Sequence, residues 1–198
     1  MKIMVPVRRV PNPDVKVRLK RDGTGIETEG VNFLLNPFDE YAIERAVRLV
    51  EKDGGESFLV TVGGPEAEET LRAGLALGAN RAYLVNVDAP LESSAVADVL
   101  AGVYQQENPD FVICGKQSVD TDNNQAAQMM AAKLGLPQAC FAFEVELGDG
   151  KAVVQREIDG GLETKEVDMP CVITADLRLN EPRYASLPAI MKAKKKEV

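Results

Sequence analysis

Between Lys2 and Leu134 the sequence alternates four times between a short apolar run and a stretch of helical period, and few folds accommodate that order. The apolar runs are KIMVPV (2–7), SFLVTV (57–62), AYLVNV (82–87) and DFVICG (110–115). The clearest helix is NPFDEYAIERAVRLVEK. Asn36 can cap it, Pro37 suits its first position, and Asp39 and Glu40 face the positive end of its dipole. Ile43, Ala46, Val47 and Val50 then recur on one face. Further helices are predicted from Pro65 to Leu77, over 93–106 with Val96, Val99, Leu100 and Val103 on one stripe, and from near Asn123 to Leu134. This order implies an α/β fold: a doubly wound, mostly parallel, Rossmann-like sheet with helices on both faces.

Two regions depart from the alternation. VKVRLK (15–20) and GIETEGVNFLL (25–35) predict a two-stranded excursion near 15–33, turning at RDGTG. FAFEVEL, KAVVQREI and LETKEVDM, separated by GDG and DGG, predict antiparallel strands with tight turns across 141–168. CVITADL (171–177) then returns as a buried strand that rejoins the main sheet. Residues 1–183 read as one α/β domain, followed by a terminal segment, 184–198.

Composition narrows the chemistry. The 198 residues include no histidine, which removes the usual general base, triads built on imidazole and His-ligated metals. Cys114, Cys140 and Cys171 are far apart and sit in apolar stretches, so buried free thiols in a reducing compartment are expected. The net charge of −8 divides into +3 over Lys192–Val198 (four Lys, one Glu) and −11 elsewhere, which argues against nucleic-acid binding. The lysine run reads as a solvated or disordered terminus. No apolar stretch is long enough for membrane insertion, and MKIMVPVRR reads as a strand, not a signal peptide. The only Gly-x-Gly, at Gly23 and Gly25, falls in a turn, and no phosphate-binding GxxxxGK[ST] occurs. Met129 and Met130 read as core.

Doubly wound sheets bind ligands beyond the carboxyl ends of their strands, where the winding reverses. Here strands one and four are the expected neighbours at that point. The crevice should be lined by Pro6 and Val7, by the segment after Val62, and by Gly115 onward. The helix beginning in VDTDNNQAAQMM (119–130) offers free N–H groups and a positive dipole end to a phosphate. Its Asn and Gln side chains can bond phosphate or ribose without adding charge. Asp120 and Asp122 repel phosphate; ribose binding, a divalent ion and simple capping all remain open for them.

LLNPFDEYAIERAVRL, GKQSVDTDNNQAAQM, REIDGGLET and TADLRLNEPRYASLPAIMKAKKK resemble the beta subunit of electron transfer flavoprotein, in order from Met1 to Lys196. The resemblance implies a heterodimer whose alpha subunit holds the redox-active FAD, while the beta subunit buries a structural AMP. Carried over by motif, the AMP site comprises Pro6, Asn36, Pro37, Phe38, Asp39 and Val62. It continues through Gly115, Lys116, Gln117, Ser118, Val119 and Asp120, then Thr121, Asp122, Asn123, Asn124, Gln125 and Ala126. Pro6 stands where relatives often have alanine and Val62 where some have cysteine, so both are expected to contact AMP through backbone or shape. Asn123 to Ala126 should face phosphate; Asp120 and Asp122 should order the loop or meet ribose.

The same resemblance makes 184–192 the loop that docks on partner dehydrogenases, with Leu187 as anchor and Tyr184, Ala185, Ser186, Pro188, Ala189, Ile190 and Met191 around it. Glu157 matches a position that contacts the flavin domain. The implied role is to carry electrons from acyl-CoA and related flavin dehydrogenases to a membrane quinone oxidoreductase, with no catalytic residue in this subunit. The implied setting is the bacterial cytoplasm, or alternatively the mitochondrial matrix. Family members continue past the lysine run into a C-terminal arm that this sequence lacks. The alternatives are an electron-bifurcating relative, with a second FAD in place of AMP, and a stand-alone nucleotide-binding regulatory module.

Overall fold

A computed structural model describes residues 1–198. An eight-stranded sheet forms its centre. The strands are β1 (Lys2–Pro6), β4 (Glu56–Gly63), β5 (Arg81–Asn86), β6 (Phe111–Gly115), β7 (Gln138–Gly148), β8 (Lys151–Ile158), β9 (Gly161–Asp168) and β10 (Val172–Ala175). Their order across the sheet is β5-β4-β1-β6-β10-β7-β8-β9. Pairing is parallel from β5 to β7 and antiparallel over β7-β8-β9. The predicted fold class and the return of 171–177 to the main sheet are both borne out. β10 lies between β6 and β7, joining the parallel half to the antiparallel half.

Alternation along the strands explains the two-sided cover. On β1, Ile3 and Val5 pack into one core cluster and Met4 into the other. The first cluster takes Ile43, Ala46 and Val47 from α1 (Pro37–Asp53) and Leu71 and Leu75 from α2 (Glu68–Ala76). The second takes Leu100 and Tyr104 from α3 (Ser93–Glu107) and Met130 from α4 (Ala126–Leu134). One buried charge belongs to this architecture. Glu44, 2% exposed, receives Arg48 at 2.5 Å and Arg183 at 2.8 Å, fastening α1 to the C-terminal segment.

Three expectations about local structure need correction. The 15–33 excursion is not a two-stranded ladder: only Leu19 and Ile26 form a bridge, and both faces of VKVRLK lie toward solvent. The regular pair in this region is β2 (Arg9–Pro11) with β3 (Phe33–Leu35). The predicted 65–77 helix opens as a 3-10 turn, Pro65–Ala67, before α2. Cys114 and Cys171 are buried free thiols, but Cys140 is only partly buried.

The lysine run is solvated as expected at Lys192, Lys194 and Lys195, but its backbone is ordered. It follows α5 (Leu187–Ala193) and is seated against α2 and β5. Arg72 donates to the Ala193 and Lys196 carbonyls at 3.0 and 2.7 Å, and the Ala82 N–H donates to the Glu197 carbonyl at 3.1 Å. Lys196 Nζ donates to the carbonyls of Leu75 (3.0 Å) and Ala79, a favourable place for a cation at the end of α2.

Candidate functional site: a crevice at the switch point

The sheet extends from β1 toward β4 and β5 in one direction and toward β6 in the other, so β1 and β6 flank the reversal, as expected. A crevice opens past their carboxyl ends, where small molecules usually bind in such sheets. Pro6 ends β1, Gly115 ends β6, and Val60 and Val62 come from β4. Val96 and Leu100 of α3 complete an apolar wall, and Asn123, Asn124, Gln125 and Ala126 bring in the start of α4.

One wall is held by Asn36 and Asp39. Asn36 stands at the N-cap of α1 yet makes no capping bond with its side chain. Its Nδ2 donates instead to Asp39 Oδ1 (3.0 Å) and to the Gln117 carbonyl (2.9 Å), while its Oδ1 accepts the Val119 N–H at 3.2 Å. Asp39 Oδ2 accepts the Arg8 N–H at 2.7 Å. Burial pushes the Asp39 carboxyl up to about 7 despite these donors, so this acid is far less anionic near neutrality than its type suggests. Gly115 is required here: a Cβ would lie 2.3 Å from Asp39 Oδ1 and 2.7 Å from the backbone of Phe38.

The segment 116–125 is a knotted turn, so the helix begins at Ala126 and not near Asn123. The Ser118 N–H donates to the Asn123 carbonyl (3.0 Å), Asn123 Nδ2 to Ser93 Oγ (2.9 Å), and the Gln125 N–H to Asn123 Oδ1 (3.0 Å). The two acids are consumed within the protein. Asp122 Oδ1 accepts Gln117 Nε2 at 2.5 Å, and Asp120 Oδ2 accepts Arg8 Nη2 at 2.7 Å. No side chain caps α4, so its first-turn N–H groups remain available at the crevice.

Of the predicted site residues, the crevice brings together Pro6, Asn36, Asp39, Val62, Gly115, Gln117, Ser118 and Asn123 to Ala126. Pro37, Phe38, Val119, Asp120, Thr121 and Asp122 lie behind its lining, in α1 and in the turn. Lys116 turns away and donates to Asp176 at 3.0 Å, beyond β10. Arg8 and Ser93 line the crevice without having been anticipated. For Arg8 the available signal was its place directly after strand one at the switch point. Ser93 has no comparable signal in the sequence.

Across the molecule, the predicted docking loop is largely helical. Ser186 caps α5 by accepting the Ala189 N–H at 3.3 Å, and Pro188 sits in the first turn. Tyr184 is 95% and Leu187 79% exposed, with Ile190 and Met191 also at the surface, while Ala185 packs against the core. Glu157, on β8, pairs with Arg178, whose Nε also meets Asp176 at 2.9 Å.

Residues 24–198 match the Electron transfer flavoprotein domain family. The whole chain aligns with "Electron transfer flavoprotein subunit beta" of Bradyrhizobium diazoefficiens at 51% identity over 201 residues, covering 80% of that protein. The mitochondrial "Electron transfer flavoprotein subunit beta" of Oryza sativa subsp. japonica is 51% identical over 203 residues, and the human "Electron transfer flavoprotein subunit beta" 49% over 204, again at 80% of each. The chain belongs to the electron transfer flavoprotein beta-subunit family.

Proposed function

We propose that this chain pairs with an alpha subunit to form an electron transfer flavoprotein and holds AMP in the switch-point crevice. The observation that carries the nucleotide reading is the uncapped start of α4 over that crevice, with Asp120 and Asp122 already bound to protein donors. The donor set suits the ligand. First-turn N–H groups of α4 and the amides of Asn124 and Gln125 answer a phosphate, and the wall of Val62, Val96 and Leu100 suits an adenine face. Asp39, pushed toward neutrality, adds little repulsion.

In this reading AMP is structural, and the electrons travel on FAD held mainly by the alpha subunit. This chain contributes scaffold and docking surface, without a catalytic residue of its own. Flavin dehydrogenases such as the acyl-CoA dehydrogenases would supply electrons, and a membrane quinone oxidoreductase would receive them. No helix here is long and apolar enough to cross a membrane itself. Leu187 supports the docking assignment, since an exposed leucine fixed at a capped helix start costs little further ordering when it enters a partner's pocket.

The test is to denature the purified chain and identify the released nucleotide by chromatography. AMP is the expected product. FAD released from this subunit alone would overturn the AMP assignment in favour of the bifurcating relative.

A further inference from the structure

Arg8 stands on a wall shared by two crevices. The first is the switch-point crevice. The second opens alongside it, around Gly64, Glu66 and Asp88, and shares Arg8, Val62 and Val96 with the first. The Arg8 guanidinium does not move freely between them. Nε and Nη2 both donate to one oxygen of Asp120, at 3.1 and 2.7 Å, so the side chain spans from the end of β1 to the turn after β6. The Asp120 side chain is only 14% exposed while that of Arg8 is 46% exposed, so the contact is anchored from the Asp120 side.

We infer that the Arg8–Asp120 pair is a size partition, limiting the first crevice to a nucleoside monophosphate and excluding nucleotides whose phosphate carries a further group. This rests on the nucleotide reading of the crevice. A ligand with its first phosphate at the start of α4 and a second group beyond it must continue along the wall that Arg8 occupies. The second crevice is chemically fit to receive such a group. Glu66 and Asp88 line it and suit the hydroxyls of a sugar that follows the second phosphate. Arg9 also lines it but is drawn aside, its guanidinium 3.8 Å from the centre of the Phe33 ring. Arg8, Val62 and Val96 form the boundary between the two spaces, and Arg8 is the member of it that an ion pair holds in place; specificity built by obstruction is lost when the obstruction is cut.

AMP and ADP-ribose distinguish space from charge, because each carries about two negative charges near neutral pH. Binding of both is measured by calorimetry on the full chain freed of bound nucleotide, with circular dichroism to verify folding. The wild type should prefer AMP. Arg8→Ala and Asp120→Asn should each narrow the ratio of AMP to ADP-ribose affinity by roughly tenfold or more. The main-chain bond from Arg8 to Asp39 is untouched by either change, and Asp120→Asn keeps the side chain's shape. A ratio that stays put in both folded variants, or a wild type that binds ADP-ribose as tightly as AMP, overturns the partition alone. A wild type that takes no AMP overturns the nucleotide reading, and the partition with it.

Discussion

Gly115 and Asp39 are packed so closely that no side chain fits between them: a Cβ on Gly115 would sit 2.3 Å from the Asp39 carboxylate. Gly115→Ala should therefore push α1 away from β6. Overpacking of this kind costs about 1–3 kcal/mol. The urea midpoint should fall, and if the crevice holds the proposed AMP the same variant should bind it more weakly. A stable variant that retains its nucleotide would show that the wall yields more easily than its geometry suggests.

Asp39 also sets a pH dependence. Its carboxyl is pushed up to about 7 in the folded chain, against an ordinary 3.8, so folding takes up a proton between those values. The group's contribution is complete on the acid side and is lost as pH rises toward 7. Comparing denaturant stability of the wild type and Asp39→Asn from pH 4 to 8 isolates it. The wild type should lose stability relative to the variant as pH rises through that window, with no further divergence above it.

The first two expectations depend on parts of the chain that differ in how readily they could be read. The four strand–helix units were legible because each strand is a short, mostly apolar run and each main helix keeps a clear face. VKVRLK misled because its period of two is genuine but neither side is buried, so alternation had no core to report on. The start of α4 was placed too early because the polar residues of 119–125 satisfy one another through Ser118, Asn123 and Gln125, an arrangement without helical or strand period. The lysine tail carried no apolar signal at all. Its order comes from carbonyls accepting Arg72 and from Lys196 reaching the end of α2.

Glu44 is the buried carboxylate that ties α1 to the C-terminal segment, through Arg183. Burial alone would raise its pKa, but the bonds from Arg183 and Arg48 outweigh burial and hold it below the ordinary value. Glu44→Ala leaves Arg183 without its inner partner, and since Arg183 is itself about one-third exposed the lost charged hydrogen bonds should cost about 1.5–3 kcal/mol. Because Arg183 keeps Glu51 at 2.7 Å, the lower end is expected. Trypsin should then cut after Arg183 much faster than in the wild type. Equal cleavage rates would mean that the segment is held elsewhere.

Leu187 offers the opposite profile. It is largely solvated, so Leu187→Ala should change stability by no more than about 0.5 kcal/mol. In the heterodimer, electron transfer from an acyl-CoA dehydrogenase should nonetheless fall by roughly tenfold or more, as for an anchor residue. Unchanged transfer would remove Leu187 from the docking surface.

The position of β10 has a consequence for biosynthesis. Ala175 is the register partner of Gly115, and its carbonyl accepts the Lys116 N–H at 3.0 Å, yet β10 is the last strand of the sheet to leave the ribosome. Until Val172–Ala175 emerges, β6 and β7 have no partner between them and present open edges. The sheet that carries the crevice is thus finished late, and a ligand that binds only the finished sheet favours completed chains by mass action. Nascent chains arrested before Val172 should hold no nucleotide, whereas chains released with β10 in place should acquire it.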